Sequence, residues 1–398
     1  MKLKIGIVVH GRFHAFDVAR ELLRRGHDVT LLTNHPPWSA ERFGIPRQCV
    51  LSAWPQGVAD RLTQKLSSEK LCIWPEAWLH RWFGRWAASR IVKECWDAVV
   101  CWSGVGEETF LTLSGKGVLR ICNRGSSHIR TQARLLQEES LRVGVSCECP
   151  SPWMIAREER EYALADVLCV PSTFAKQTCI QEGVVPDKVA LVLLGVDTRA
   201  FRPSLDVIES RCARIISGEP LRVLGVGTIS FRKGVWDLAE ILKVLRSEPF
   251  SFRFVGPIES QAAPVVSRLR DYATFLPAQP QKDLPSHYAW GDVFLLPTIE
   301  DGFQLVLGQA AAAGLPILTT SHGAGLDLVH EGMTGWVLPV RNPGDFVQRL
   351  RWCHEHRREL AEVVRNTYEA YRPRDWADVA KDFEALVLES RPLLRKIG

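Results

Sequence analysis

Between Val293 and Thr320 the chain reads strand, loop, helix, strand, and few folds accept such a unit. Val293-Phe-Leu-Leu296 is an all-apolar run of the kind that a parallel strand buried on both faces requires. An acidic loop, Pro297 to Gly302, interrupts it. Good helix formers run from Phe303 to Ala313, Gly314-Leu-Pro316 stops them, and a second apolar run opens at Ile317. A helix so placed turns the free amides of Phe303, Gln304 and Leu305 back toward the loop, where an anion can sit. Asp301 lies in that loop and Gln309 about two helical turns further on, so one ligand over the helix start reaches both. A plain βα unit with a polar helix start satisfies the same pattern.

The alternation recurs along the chain. Lys4 to Val9 reads as a buried strand, Phe16 to Gly26 as a helix and Val29 to Thr33 as a second strand. Strands at Asp97 to Trp102 and Val118 to Cys122 follow, then a helix from Arg157 to Asp166 and a strand from Val167 to Val170. After a polar, weakly periodic stretch from Pro203 to Pro220, where a domain boundary is expected, a fresh layer opens. It comprises strand Leu221 to Gly227, helix Val235 to Arg246, and strands around Phe252 to Gly256 and Ala273 to Leu276. Strand–helix alternation of this kind predicts an α/β protein of two Rossmann-like layers, and 398 residues suffice for two domains. The first turn, His10-Gly-Arg-Phe-His-Ala15, lacks the G-x-G-x-x-G spacing, which argues against a dinucleotide-dependent dehydrogenase.

A net charge of +5 suits anionic ligands or a membrane surface without pointing to nucleic acid. The eleven cysteines are scattered, apart from Cys147-Glu-Cys149, and no pair of C-x-x-C motifs marks a zinc site. Unpaired cysteines in apolar contexts fit a reducing cytoplasm. The apolar part of the N-terminus is short for a signal peptide, and no apolar run reaches transmembrane length.

Three further stretches carry chemistry. Arg232-Lys233-Gly234 places two adjacent cations at a helix start, one a fork and one a point charge, as a diphosphate requires; a solvated basic turn is the plain alternative. Asn123-Arg-Gly-Ser-Ser-His128 is a polar loop after a strand end, where ligands of open α/β sheets bind. Trp74, Trp78, Trp82 and Trp86 recur every fourth residue among Arg81, Arg85, Arg90 and Lys93. That spacing keeps the indoles on one helical face, either packed on the sheet or lying at a lipid headgroup level. Glu158 and Glu159 read as ion-paired surface groups.

Asp301-Gly302-Phe303-Gln304-Leu305, then Gln309-Ala-Ala-Ala-Ala-Gly314-Leu-Pro316, resembles the signature of the retaining glycosyltransferases of family 4. In that family an acid precedes Gly-Phe-Gly-Leu and a second acid follows after seven residues. Arg157 to Phe174, Gly195-Val-Asp197, Phe201-Arg-Pro203, Gly323 to Val329 and Gly332 to Pro339 resemble other parts of the family pattern. Two positions depart from it. The first acid is Asp301, with Glu300 beside it, and the second is Gln309, whose amide oxygen accepts a hydrogen bond without a carboxylate's charge.

The resemblance implies the GT-B architecture, two Rossmann-like domains facing across a cleft. Residues 1–203 would form the acceptor-binding domain and 204–375 the nucleotide-sugar-binding domain, with 376–398 a helix returning to the first. It implies a metal-independent hexosyltransferase that takes a UDP- or GDP-sugar as donor, needs no cofactor, and retains anomeric configuration. The acceptor would be a glycan, lipid-linked or small molecule, as in polysaccharide biosynthesis. Lys233 and Arg232 would hold the diphosphate with the amides of Phe303, Gln304 and Leu305; Asp301, Glu300 and His128 would hold the sugar. Gln309 would face the ribose. Gly11 and Gly302 would let backbone approach the donor, Arg12 and His14 would be polar neighbours of Gly11, and Thr228 occupies the place of a family arginine. A cytoplasmic enzyme is expected, with peripheral membrane contact through Trp74, Trp78, Trp82 and Trp86. A sugar-nucleotide epimerase shares the fold, and a catalytically weak donor-binding partner of another transferase would tolerate Gln309; both stand as alternatives.

Overall fold

Every strand pairing among the described residues is parallel, and the strands fall into two sheets. The computed structural model describes residues 1–67 and 76–394. The first sheet comprises β1 (Lys4–Val9), β2 (Asp28–Thr33), β3 (Val50–Ser52), β4 (Ala98–Trp102), β5 (Leu119–Asn123), β6 (Val167–Val170) and β7 (Val189–Leu191), in the order β3-β2-β1-β4-β5-β6-β7. The second comprises β8 (Leu221–Val226), β9 (Phe250–Val255), β10 (Thr274–Leu276), β11 (Val293–Leu296), β12 (Ile317–Thr320) and β13 (Gly335–Leu338), ordered β10-β9-β8-β11-β12-β13. Both orders reverse direction once, between β1 and β4 and between β8 and β11. Such switch points open a crevice beyond the carboxyl ends of the strands.

Helices cover both faces of each sheet, so the central strands are apolar throughout: β4 and β11 are buried at every position. Ile5, Ile7 and Val9 pack under Phe16, Val18 and Leu22 on one face of the first sheet; Val8, Val99 and Cys101 meet Phe83, Ala87 and Ile91 on the other. The helix Trp376–Leu394 sends Val379, Ala380, Phe383 and Val387 into the first core, although it is the last element of the chain.

Two expectations need correction. The polar stretch after Pro203 is not irregular: Leu205–Ile216 is a helix whose Ile208, Cys212 and Ile215 enter the second core. Its buried face is narrow, and its arginines and acids masked the period. The helix after the acidic loop spans Leu305–Ala312 and starts two residues later than expected, because Gln304 takes an extended conformation as its N-cap.

Among the tryptophans, Trp74 lies outside the described residues. The helix Glu76–Ile91 buries Leu79, Phe83, Ala87 and Ile91, leaving Trp78 and Trp82 47% and 37% exposed, their rings tilted against one another at 5.1 Å. Trp86 packs against Phe83 at 5.5 Å. The stripe therefore divides: its first described members face outward and the last joins the core. Among the described residues no helix is long and apolar enough to cross a membrane.

Candidate functional site

The loops that leave β8 and β11 meet at the switch point of the second sheet. Gly234 ends the first with φ +74°, and a Cβ there would strike the Pro297 carbonyl, so only glycine lets the two loops touch. The amides of Ile299 and Glu300 donate to the Arg232 carbonyl. His322, whose Nδ1 lies 2.8 Å from the Ile299 carbonyl, supports the second loop from the β12 side. The segment carrying Glu300 and Asp301 is thus held at three points by backbone.

Glu300 is fully buried and points across the cleft at the loop after β5. Ser126 Oγ and Ser127 Oγ each donate to one carboxylate oxygen at 2.6 Å. Gln132 Nε2 reaches the other at 3.3 Å, beside the Arg232 guanidinium at 2.5 Å. Burial alone would raise the pKa of this carboxyl, but Arg232, the two serines and Arg124 outweigh it and hold the pKa down to about 2. Gly302 follows, packed so tightly on Gly125 and Ser126 that a Cβ would overlap the Gly125 carbonyl. The two domains touch here through a glycine and a buried ionised carboxylate.

Behind the serines a second buried network fixes the loop. Arg124 donates to the Ser127 carbonyl at 2.9 Å, to Glu158 at 3.0 Å and to Gln132 Oε1 at 2.6 Å, and Glu158 also accepts from the Tyr162 hydroxyl. Glu158 is therefore a buried strut rather than a surface group, while Glu159 pairs with Arg130 at the surface as expected. Ser126, Ser127, Arg124 and Gln132 were not singled out by sequence, since their partners lie far away along the chain. A run of hydroxyls after a strand end was the only local signal.

The cation pair splits between two carboxylates: Arg232 takes Glu300, and Lys233 is in contact with Asp301. Burial, followed by the Arg232 charge, lowers the Lys233 pKa to about 7, and the Glu300 and Glu259 carboxylates oppose them. Lys233 and Thr228 line one small pocket with Gly225, Gly227, Ser230 and Pro297, against the carboxyl end of β8. Among the expected amide donors, Phe303 already donates to Asp301 Oδ1 at 3.2 Å. Gln304 is buried; its side chain reaches the His322 carbonyl and accepts from the Ala324 amide at 2.7 Å, so it locks loops together. Leu305 opens the helix with its side chain partly exposed. Gln309 is only 9% exposed, and its oxygen accepts from the Tyr288 hydroxyl at 2.7 Å. An acceptor is needed at this position even without a ligand, and an amide supplies one at no charge cost.

His128 departs from its expected role. It is the N-cap of the helix Ile129–Val143, its Nδ1 accepting from the Arg130 amide, and it is buried beside Tyr162 at 5.1 Å. Burial holds its pKa down to about 4. A capping imidazole shut behind Ser127 anchors the loop instead of reaching into the cleft. Gly11 has φ +89° and gives its amide to Asn34 Oδ1 at 2.7 Å. Arg12 lies over the Phe43 ring at 4.3 Å, away from the second domain. His14 is buried between Trp102 and Trp376. Among the described residues no group of three His, Cys, Asp or Glu side chains could hold a metal ion.

Residues 220–356, which contain the loops after β8, β11 and β12, match the model of the group 1 glycosyl transferases. The chain has the GT-B fold, and its second sheet carries the match to that glycosyl transferase model. A putative colanic acid biosynthesis glycosyltransferase, WcaL, of Salmonella typhimurium is 26% identical over 213 residues, covering 50% of this chain and 49% of that protein. The sulfoquinovosyl transferase SQD2 of Arabidopsis thaliana is 30% identical over 209 residues, 50% of this chain and 40% of its own. The chain spans about half the length of the curated relatives it matches. The crystal structure of Anabaena HepE in complex with UDP shares the fold at a TM-score of 0.70 with 13% identity, covering 97% of this chain and all of that one. Within this GT-B frame the Glu300–Arg232 and Asp301–Lys233 pairs lie where the two domains converge.

Proposed function

We propose that the protein transfers a hexose from a nucleoside diphosphate donor, UDP- or GDP-linked, to a glycan, lipid-linked or small-molecule acceptor with retention of configuration. The observation that carries this reading is the pairing of Arg232 and Lys233 with Glu300 and Asp301 around the pocket lined by Thr228. A diphosphate entering that pocket replaces a carboxylate as the partner of Lys233, so the charge is balanced before and after binding. Asp301, freed from the lysine, can accept sugar hydroxyls, while Glu300 keeps the domains apposed. As the bond from the anomeric carbon to the diphosphate oxygen breaks, Lys233 and Arg232 stabilise the negative charge gathering on the leaving group. The acceptor oxygen attacks from the same face and its proton passes to the leaving phosphate, so atoms and charge balance without an enzyme nucleophile. Cations supply what a metal ion would otherwise supply, and the reading is metal-independent. Incubation with UDP-glucose or GDP-mannose in EDTA, with the product anomer read by NMR, tests it. Failure of UDP, GDP and both sugar nucleotides to raise the melting temperature overturns it.

A second observation supports surface contact at a cytoplasmic membrane face. Exposed Trp78 and Trp82 share their helix with exposed Arg81 and Arg85, the pairing that suits anionic headgroups. Flotation with anionic liposomes, absent with neutral ones and lost in Arg81→Glu/Arg85→Glu, is the expected result.

A further inference from the structure

The first sheet has a crevice of its own, between the loops that follow β1 and β4, and two histidines sit in it. His10 directly follows β1; His80 projects from the helix Glu76–Ile91 and its Nδ1 lies 2.9 Å from the Gly104 carbonyl, beyond β4. Their rings stand 5.2 Å apart, tilted by 33°. The hydrogen bonds around them determine which nitrogen of each ring carries the proton. The Gly11 amide can only donate, so the Asn34 atom it reaches at 2.7 Å is an oxygen, and Asn34 Nδ2 donates to Gln56 Oε1 at 3.2 Å. Gln56 Nε2 then faces the Leu79 carbonyl at 3.2 Å and His10 Nε2 at 2.9 Å, one proton for each. His10 Nε2 therefore accepts, and Nδ1 carries the proton. At His80 the Gly104 carbonyl can only accept, so Nδ1 carries the proton and Nε2 keeps its lone pair.

Among the described residues no hydrogen bond is made by the other ring nitrogens, His10 Nδ1 and His80 Nε2, and both side chains are partly exposed. We infer that this pair is the acceptor subsite: His10 offers a donor and His80 an acceptor to hydroxyl groups of a neutral pyranose. The inference rests on the transferase reading above and names the class of acceptor that reading leaves open. Burial holds His10 down to about 4 and lowers His80 as well, so both rings are uncharged near neutrality. Asp60 Oδ2, at 4.0 Å from His10 Nε2, is beyond hydrogen-bond reach. The Gly104 loop that sets His80 is fixed in turn by the buried Glu161 carboxylate, which accepts from the Gly104 and Gly106 amides at 2.6 and 2.8 Å. Trp153 meets His80 at 6.0 Å in a T-shaped contact, and the Arg81 and Arg157 guanidiniums lie over its ring.

The test uses the full chain labelled with 15N-histidine. Long-range proton–nitrogen spectra at pH 7 should show His10 and His80 both neutral and both protonated at Nδ1. Methyl α-glucoside, α-galactoside and α-mannoside are the probes, and at least one should shift both ring signals. His10→Asn keeps an N–H near the Nδ1 position and His80→Gln keeps an acceptor near Nε2, so both should retain binding. His10→Phe and His80→Phe should lose about five- to tenfold in affinity, the worth of one hydrogen bond. A charged ring, a proton on His80 Nε2, phenylalanine variants that bind as wild type, or no probe moving either ring would each overturn the inference. Should a phenylalanine variant not fold, the wild-type spectra and the amide variants decide. UDP and GDP are added to the same samples: nucleotide binding without pyranoside binding defeats this inference alone, whereas absence of nucleotide binding defeats the transferase reading beneath it.

Discussion

The two switch-point crevices face one another but are built from different chemistry. That of the second sheet is ionic: Glu300, Arg232, Lys233 and Asp301 neutralise each other within a few ångströms. That of the first sheet presents two imidazoles, two amides and backbone carbonyls, with the charges of Arg157 and Glu161 set behind the Gly104 loop. Both are equally embedded in a parallel sheet, so burial does not explain the difference. An ionic crevice can exchange an internal partner for a diphosphate; a neutral one can grip hydroxyls without holding a charge in a low-dielectric setting. The fold supplies two similar crevices, and the side chains divide the labour between them.

The comparison breaks most visibly at Glu300. Glu300→Ala leaves Arg232 without a charged partner and Ser127 Oγ without an acceptor, and should cost about 2–3 kcal/mol of stability, below the range for a fully buried pair because Arg232 is partly exposed. Differential scanning calorimetry measures it. The pH dependence follows from the same carboxylate. Its folded pKa near 2 is depressed below the ordinary carboxyl value, so its stabilising contribution is complete above about pH 4.5 and is lost as pH falls toward 2. Wild type should therefore lose stability between pH 5 and pH 3 more steeply than Glu300→Gln. Equal slopes would show that the cross-cleft contact is not ionic.

Next in size, Lys233→Ala should weaken UDP or GDP binding by about ten- to a hundredfold while leaving the fold intact, as read by isothermal calorimetry. Asp301→Asn releases the lysine from its carboxylate. It should strengthen binding of the free diphosphate and impair sugar transfer, which separates the two halves of that ion pair.

The smallest effect is expected at Gln309. A glutamate there accepts from Tyr288 as the amide does and adds charge, so Gln309→Glu should bind donor more tightly by about 1 kcal/mol. Gln309→Ala orphans the Tyr288 hydroxyl and should lose about as much. Identical affinities in all three proteins would place the nucleotide away from this helix.

Elements buried on both faces were legible in sequence. β6 and β11 begin and end where their apolar runs do, and β1 adds only Lys4 at its start, because a parallel strand buried on both faces has few polar positions to blur its limits. The helix Leu205–Ile216 was hidden by its acids and by Arg211, a charged residue that enters the buried face and donates to backbone carbonyls there. Within the site, Arg232 and Lys233 could be found from local spacing alone. Their engagement with Glu300 and Asp301, and that of Glu300 with Ser126, could not, since those contacts join residues 68 to 174 positions apart. His128 shows a second limit: its place after a strand was legible, but the capping bond of its Nδ1 to the next helix was not.

The helix Trp376–Leu394 has a consequence for how the molecule comes into being. Its apolar face belongs to the core laid down by the first hundred residues, under the helix that follows β1, and Trp376 stacks on His14 at 6.0 Å. A nascent chain emerging from the ribosome can complete the second sheet while the first still lacks this cover. The N-terminal half must then wait, with Phe16 and its neighbours incompletely shielded, until the helix Trp376–Leu394 has emerged. Synthesis order and folding order are crossed, and the two crevices can be brought to face each other only once residues 376–394 have been made.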